Sequence, residues 1–301
     1  MTHRVTELLK IWFALLLTNL TPSRLHTRLC RFIYPYNAHS IKGFDWIIDY
    51  RPIDGLERLQ ILINTKEFVG WNILFRRHYE QDTNLLLQQL LRPGMITVEA
   101  GAHIGSETLL MAAMVGVHGK VYAFEPNPVV KKRLDINIRF NRFEQRIISS
   151  GTALGESNGT VSFYVKEEHI PNQGLSSKYK FDEDVNQIEV TQQTLDDWFD
   201  SNGIERIDFL KMDVQGAEID ILKGASEVIT RFRPAIFAEA APSTQSDSMQ
   251  SLEDLYDILS GYDYRVHHIG KKGVLEPITK SSLTIGNWLA IHSDENGNRR
   301  V

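Results

Sequence analysis

The sequence has almost no cysteine, no long apolar run and no internal repeat, and each shortage removes a class of protein. Its one cysteine, Cys30, excludes an internal disulfide and any cysteine-rich zinc site. An unpaired thiol fits a reducing compartment, so a cytoplasmic location is expected. The most apolar stretch, Ile11-Trp12-Phe13-Ala14-Leu15-Leu16-Leu17, is seven residues long, where a hydrocarbon layer needs about 20. Basic residues ahead of that stretch give the outline of a secretory leader, but Thr18-Asn19-Leu20-Thr21-Pro22 offers no small-x-small cleavage site. A retained helix over residues 5–20 is expected instead. A cationic main body is also missing. Residues 1–42 carry six basic side chains against Glu7 alone, +5, so the rest carries about −10 to reach the overall −5. An acidic body speaks against a nucleic-acid partner.

What remains is ordinary globular material: 301 residues, 42% hydrophobic and 24% charged, enough for a sizeable core. Residues 1–90 read as a mostly helical, mixed extension. Pro22 and Pro35 punctuate it, Leu59 to Ile63 alternates as a strand, and Asn84 to Leu91 reads as a helix stopped by Arg92-Pro93-Gly94. From 91 to 301 the rhythm is regular. Short β-branched runs at Ile96–Glu99, Val121–Phe124, Ile147–Ile148, Ile207–Met212 and Ala235–Ala238 alternate with helical stretches. Such alternation implies a doubly wound α/β domain with a parallel sheet, whose ligands bind along the carboxyl edge of the strands. Tyr264 to Ile269 and Thr284 to Ile291 read as a closing antiparallel pair. An insertion at about 155–195, with a hairpin expected over Gly159 to Val165, interrupts the rhythm above that edge.

The strongest local signal is Val98-Glu99-Ala100-Gly101-Ala102-His103-Ile104-Gly105, which leaves a strand and enters a helix. Glycines at 101 and 105 are expected to let the backbone approach a ligand. A dinucleotide site usually shows G-x-G-x-x-G, with a middle glycine against the pyrophosphate. Here that position is His103, and Glu99 would repel a pyrophosphate. An acid there suits a ligand with an ammonium and a sulfonium, which points to S-adenosylmethionine. The next strand ends in Phe124-Glu125-Pro126-Asn127-Pro128, with Glu125 24 residues beyond Gly101, near the offset of about 20 for a ribose-binding acid. One carboxylate can accept from both ribose hydroxyls.

These runs, together with Ile207-Asp208-Phe209-Leu210-Lys211-Met212-Asp213-Val214-Gln215-Gly216-Ala217-Glu218 and Leu222-Lys223-Gly224-Ala225, resemble the FkbM-type methyltransferase family over about residues 79–240. The likeness implies a class I methyltransferase (Rossmann-like) sheet with an antiparallel C-terminal strand. It also implies S-adenosylmethionine as cofactor and oxygen methylation of a sugar, glycolipid or related small molecule. His103 stands where the family usually has asparagine, and Glu99 where aspartate is common. The pair Tyr79-Glu80 matches an aromatic-acid pair of the family, implying a lid over the cofactor; an exposed helix end is the alternative. The polar run Asn172 to Ser177 is placed near the acceptor by the same likeness.

Methylating a hydroxyl requires removal of its proton, and Asp213, at the end of the Ile207 strand, is the first choice of base. Lys211 shares a strand face with Asp213 and is expected to set its charge or position the acceptor. Glu218 opens the next helix, where a role in chemistry competes with favouring the helix start. Glu239 could join Asp213 and Glu218 around a divalent ion, or the three could be an acidic sheet edge; no metal is assigned. His267-His268 is expected to split into one buried and one exposed residue. The cofactor-binding set is Glu80, Glu99, Gly101, His103, Gly105, Glu125, Pro126, Asn127, Ala153 and Asp213, and the catalytic set is Asp213, Lys211 and Glu218.

Two rivals stay open: a nicotinamide-dependent oxidoreductase, which the glycine spacing and the lack of a Tyr-x-x-x-Lys dyad oppose, and a non-catalytic protein that binds the methyl donor. In the basic head, Leu8, Ile11, Trp12, Leu15 and Leu16 share a helical stripe, followed by Arg24, Arg28 and Arg31. Either that stripe packs against the catalytic domain or a second subunit, or residues 1–35 lie peripherally on a membrane.

Overall fold

The computed structural model describes residues 9–14, 16, 23–34, 43–77, 79–166, 176–178, 185–241 and 248–294. Fourteen strands among them form three sheets. The central sheet has eight strands. It contains β3 (Ile96–Ala100), β4 (Lys120–Phe124), β5 (Ile147–Ser150), β10 (Phe209–Met212), β11 (Ala235–Ala240), β12 (Tyr264–Ile269), β13 (Leu275–Pro277) and β14 (Gly286–His292). Their order is β13-β12-β14-β11-β10-β3-β4-β5. The five strands from β5 to β11 are parallel, and β14 runs antiparallel between β11 and β12. The expected closing antiparallel pair is therefore present, and this is the class I methyltransferase sheet.

Period-two side chains give the sheet two apolar faces. Phe209, Phe237 and Leu289 face one core, with the helices Ser106–Val115 and Pro128–Phe140. Leu210, Met212, Ile236 and Trp288 face the other, with Trp198, Phe199, Ile221 and Leu255 from helices on that side. Helix starts follow local chemistry. Asn127 accepts from the amides of Val129 and Val130, and Pro128 supplies the preset φ of a first helical residue.

The extension adds a hairpin of β1 (Asp45–Tyr50) and β2 (Leu59–Asn64), and the helices Phe68–Arg76 and Gln81–Leu90. Asn137 and Asn141, one turn apart, act as a substitute strand edge for β2. Their carboxamides accept from the Leu62 and Gln60 amides at 2.6 and 2.8 Å and donate back to the same residues' carbonyls. Side chains of the extension, including Ile61, Ile63, Trp71 and Leu87, join the same core as Ile104 and Leu109.

Three expectations change. Gly159 to Val165 is one arm rather than a hairpin: β7 (Gly159–Lys166) pairs antiparallel with β9 (Val185–Gln193), in a second sheet ordered β6-β9-β7-β8 with β6 (Ala153–Leu154) and β8 (Ser176–Ser177). The apolar partners that bury Phe163 and Val161 are Ile188 and Val190, far along the chain, so no tight turn forms. His267 and His268 are both half-buried rather than split, because β12 sends Ile269 into one core and Tyr264 and Val266 into the other, with the two histidines on those same two faces. The head's apolar stripe is divided: Ile11 is buried while Trp12 and Leu16 are exposed. Leu8 and Leu15, much of the expected helix over 5–20, and residues 172–175 of the polar loop lie outside the described residues.

Candidate functional site

At the carboxyl ends of β3, β4 and β10 a cleft opens, enclosing about 1300 Å³ with its mouth included. The turn after β3 forms one wall. Gly101 has φ +83°, and a Cβ there would collide with the Asp213 carbonyl. Gly105 has φ +90°, and its Cβ would come within 2.7 Å of Leu134. Both glycines serve left-handed backbone and close chain-to-chain packing. Gly101 lines the cleft, and Gly105 sits at the cap of the Ser106–Val115 helix.

His103 adopts φ +51°, which turns its amide to Glu125 at 2.8 Å and its ring to the cleft. Its Nδ1 is buried with no protein partner. Burial lowers the imidazole to about 4, so the ring is neutral at physiological pH. Glu125 lines the cleft with both carboxylate oxygens already receiving one backbone amide, from His103 and Asn127. Each oxygen keeps a second lone pair. Burial raises this group to about 7 despite those amides. Pro126 and Ala153 also line the cleft, whereas Asn127 is outside the lining and caps its helix.

Lys211 organises the floor. Its ammonium is 2.7 Å from Glu107, 3.5 Å from Glu99 and 3.4 Å from Asp213, and all but Asp213 are buried. Glu99 turns to Lys211 and to Thr108, whose hydroxyl donates at 2.5 Å, and is not part of the cleft lining. The chain thus places Glu99 behind the site, where burial lifts it to about 7 even beside an ammonium. Glu107, which carried no sequence signal, lines the cleft with Oε1 buried and unpartnered. Asp213 lines it too, with its side chain 31% exposed.

Glu218 accepts from the Val214 amide at 3.1 Å and is outside the lining; its carboxylate stabilises the turn that carries Asp213. Glu239 accepts from Gln215 at 3.0 Å, and burial and the charge of nearby Asp213 raise it. Glu80 sits at the start of the Gln81–Leu90 helix with φ +47° and accepts from Thr83, while its neighbour Tyr79 lines the cleft and packs edge-on against Phe68. Among the described residues no group of His, Cys, Asp or Glu is placed to hold a metal ion. The far wall comes from the insertion expected above this edge, with Val161, Phe163 and Gln192 from the second sheet and Lys178 just past β8.

Residues 99–266 match the methyltransferase FkbM domain family. Among characterised proteins, the 2-O-methyltransferase NoeI of Sinorhizobium fredii (strain NBRC 101917 / NGR234) is 26% identical over 195 residues, 59% of this chain and 76% of that protein. Methyltransferase sdnD of Sordaria araneosa is 30% identical over 156 residues, 43% of this chain and 60% of that protein. Among solved structures, methyltransferase FkbM from Methylobacillus flagellatus KT aligns with a TM-score of 0.42 at 18% identity, covering 73% of this chain and 52% of that one.

Proposed function

The chain belongs to the FkbM methyltransferase family and is an S-adenosylmethionine-dependent methyltransferase, and from that premise we propose that it methylates a hydroxyl oxygen of a sugar, glycolipid or related small molecule. The observation that carries this reading is the partly exposed Asp213 carboxylate at the cleft, 3.4 Å from a fully buried Lys211. A base for a hydroxyl must reach the acceptor, and Asp213 is the acid of the floor cluster with that exposure.

The remaining residues fit the methyl donor. Glu125 has a free lone pair on each oxygen for ribose hydroxyls, and His103 offers an unpartnered buried nitrogen. When bound, S-adenosylmethionine supplies an electrophilic methyl group on a sulfonium. Asp213 takes the proton of the acceptor hydroxyl, and Lys211 holds Asp213 in place while offsetting part of the charge of Glu99 and Glu107. Described lining residues include Glu67, Glu107, Glu125 and Asp213 against Lys178. Such a cleft favours a neutral polyol over a phosphorylated acceptor. The 2-O-methyltransferase activity in the name of the Sinorhizobium relative is of the same kind.

The test is incubation with methyl-labelled donor and a panel of sugars, glycolipids and polyols, followed by mass analysis. Label on a hydroxyl oxygen is expected. Label only on amines or thiols would sink the oxygen assignment, and donor binding without transfer to any acceptor would leave a non-catalytic binder.

A further inference from the structure

The two N-terminal helical segments pack on each other through small contacts and turn apolar surface outward. Ile11, Ala14 and Cys30 are fully buried, and the Cys30 thiol lies 3.7 Å from the Ala14 carbonyl. On the opposite side of the first segment Leu9, Trp12, Phe13 and Leu16 follow i, i+3, i+4, i+7 spacing, and all are exposed, Trp12 by 64% and Phe13 by 51%. On the second segment, the helix Ser23–Ile33, the outer arc holds Arg28, Arg31 and Phe32, and Phe32 is 87% exposed.

An outward patch of tryptophan, phenylalanine and leucine beside arginines has few physical explanations, since water penalises it. We infer that this outer face docks on the surface of an anionic lipid bilayer. Charge selects that occupant. Residues 1–42 carry +5 on a chain of −5 overall, so the apolar arc sits within the cationic part of an otherwise acidic protein. Anionic headgroups complement it, whereas a two-fold contact with a second copy would press the same cationic arc against itself. Among the described residues no helix is long and apolar enough to cross a membrane, so the contact is with the interface.

The docking face is tied to the cleft by one helix. Trp71 donates to the Tyr34 carbonyl at 2.7 Å, and the Tyr34 and Phe75 rings lie 6.0 Å apart. The same helix, Phe68–Arg76, begins with Phe68 in the cleft lining. A docked head would hold the cleft close to the bilayer surface, whatever acceptor the cleft takes.

The experiment is co-sedimentation of the full chain with phosphatidylcholine–phosphatidylserine vesicles and with phosphatidylcholine vesicles. Binding is expected with the anionic vesicles, weakening as salt rises. A Trp12→Ser, Phe13→Ser double variant should lose at least about tenfold in partitioning, and Phe32→Ser on the other helix should weaken it independently. Val117→Ser, which removes an exposed side chain outside the head, should bind as the unmodified protein does. Protein left in the supernatant with anionic vesicles at low salt would overturn the inference. So would undiminished binding by both head variants, or a dimer in sedimentation analysis that the double variant converts to monomer.

Discussion

Glu239 stands beside Asp213 at the carboxyl ends of two adjacent parallel strands, and Gln215 donates to it at 3.0 Å. Burial and the charge of Asp213 push Glu239 up to about 9.

Glu239→Gln keeps the side-chain length and removes the titration. Turnover near pH 7 should stay within a few-fold, while any decline of kcat that sets in near pH 9 should move or vanish. A loss at neutral pH as large as that of Asp213→Asn would give Glu239 a chemical part of its own.

Asp213→Asn should leave donor affinity within a few-fold and lower kcat by about 10²–10⁴. Stopped turnover with intact donor binding separates a base from a cofactor contact. Near-normal turnover would make Asp213 structural.

Glu125→Ala removes acceptors worth about 1.5–3 kcal/mol each at most, so affinity for S-adenosylmethionine should fall at least about tenfold. Calorimetry on a folded variant is the measurement. Unchanged affinity would end the ribose assignment.

Ligand-free stability should fall as pH rises toward and past neutrality. Burial raises Glu80, Glu99, Glu125 and Glu218 to about 7, above the ordinary 4.5. The folded state then binds more protons than the unfolded one across that window, so raising pH favours unfolding. His103, lowered to about 4 from 6.5, acts in the opposite sense below 6.5, but is one group against four. Thermal melts should give a lower Tm near pH 8 than near pH 6. A rising Tm would mean these carboxyls are already ionised when buried.

The strand-turn-helix order and the acid at the next strand end were readable because period and glycine placement are local signals. What each residue touches was less so. Gly101 was read as a ligand-facing glycine and does line the cleft, but what occupies its Cβ space, the Asp213 carbonyl more than a hundred residues later, left no local signal. Glu99 was assigned to the ligand because it ends a strand, but strand parity sends its carboxylate to Lys211 and Thr108. Glu107 left no trace, since an acid in a first helical turn is ordinary. The wall from Val161, Phe163 and Gln192 depends on the long-range pairing of β7 with β9, which no local pattern encodes.

Strand β14 lies between β11 and β12, both of which precede it in the chain. During synthesis β11 therefore waits with one edge unsatisfied until residues 286–292 emerge, and Trp288 and Leu289 reach their buried places last. A ribosome-bound chain stopped before that point would present an open hydrophobic strand edge, the kind that recruits chaperones or other nascent chains. Completion of the sheet therefore waits on β14, which follows every other strand of the sheet in the chain.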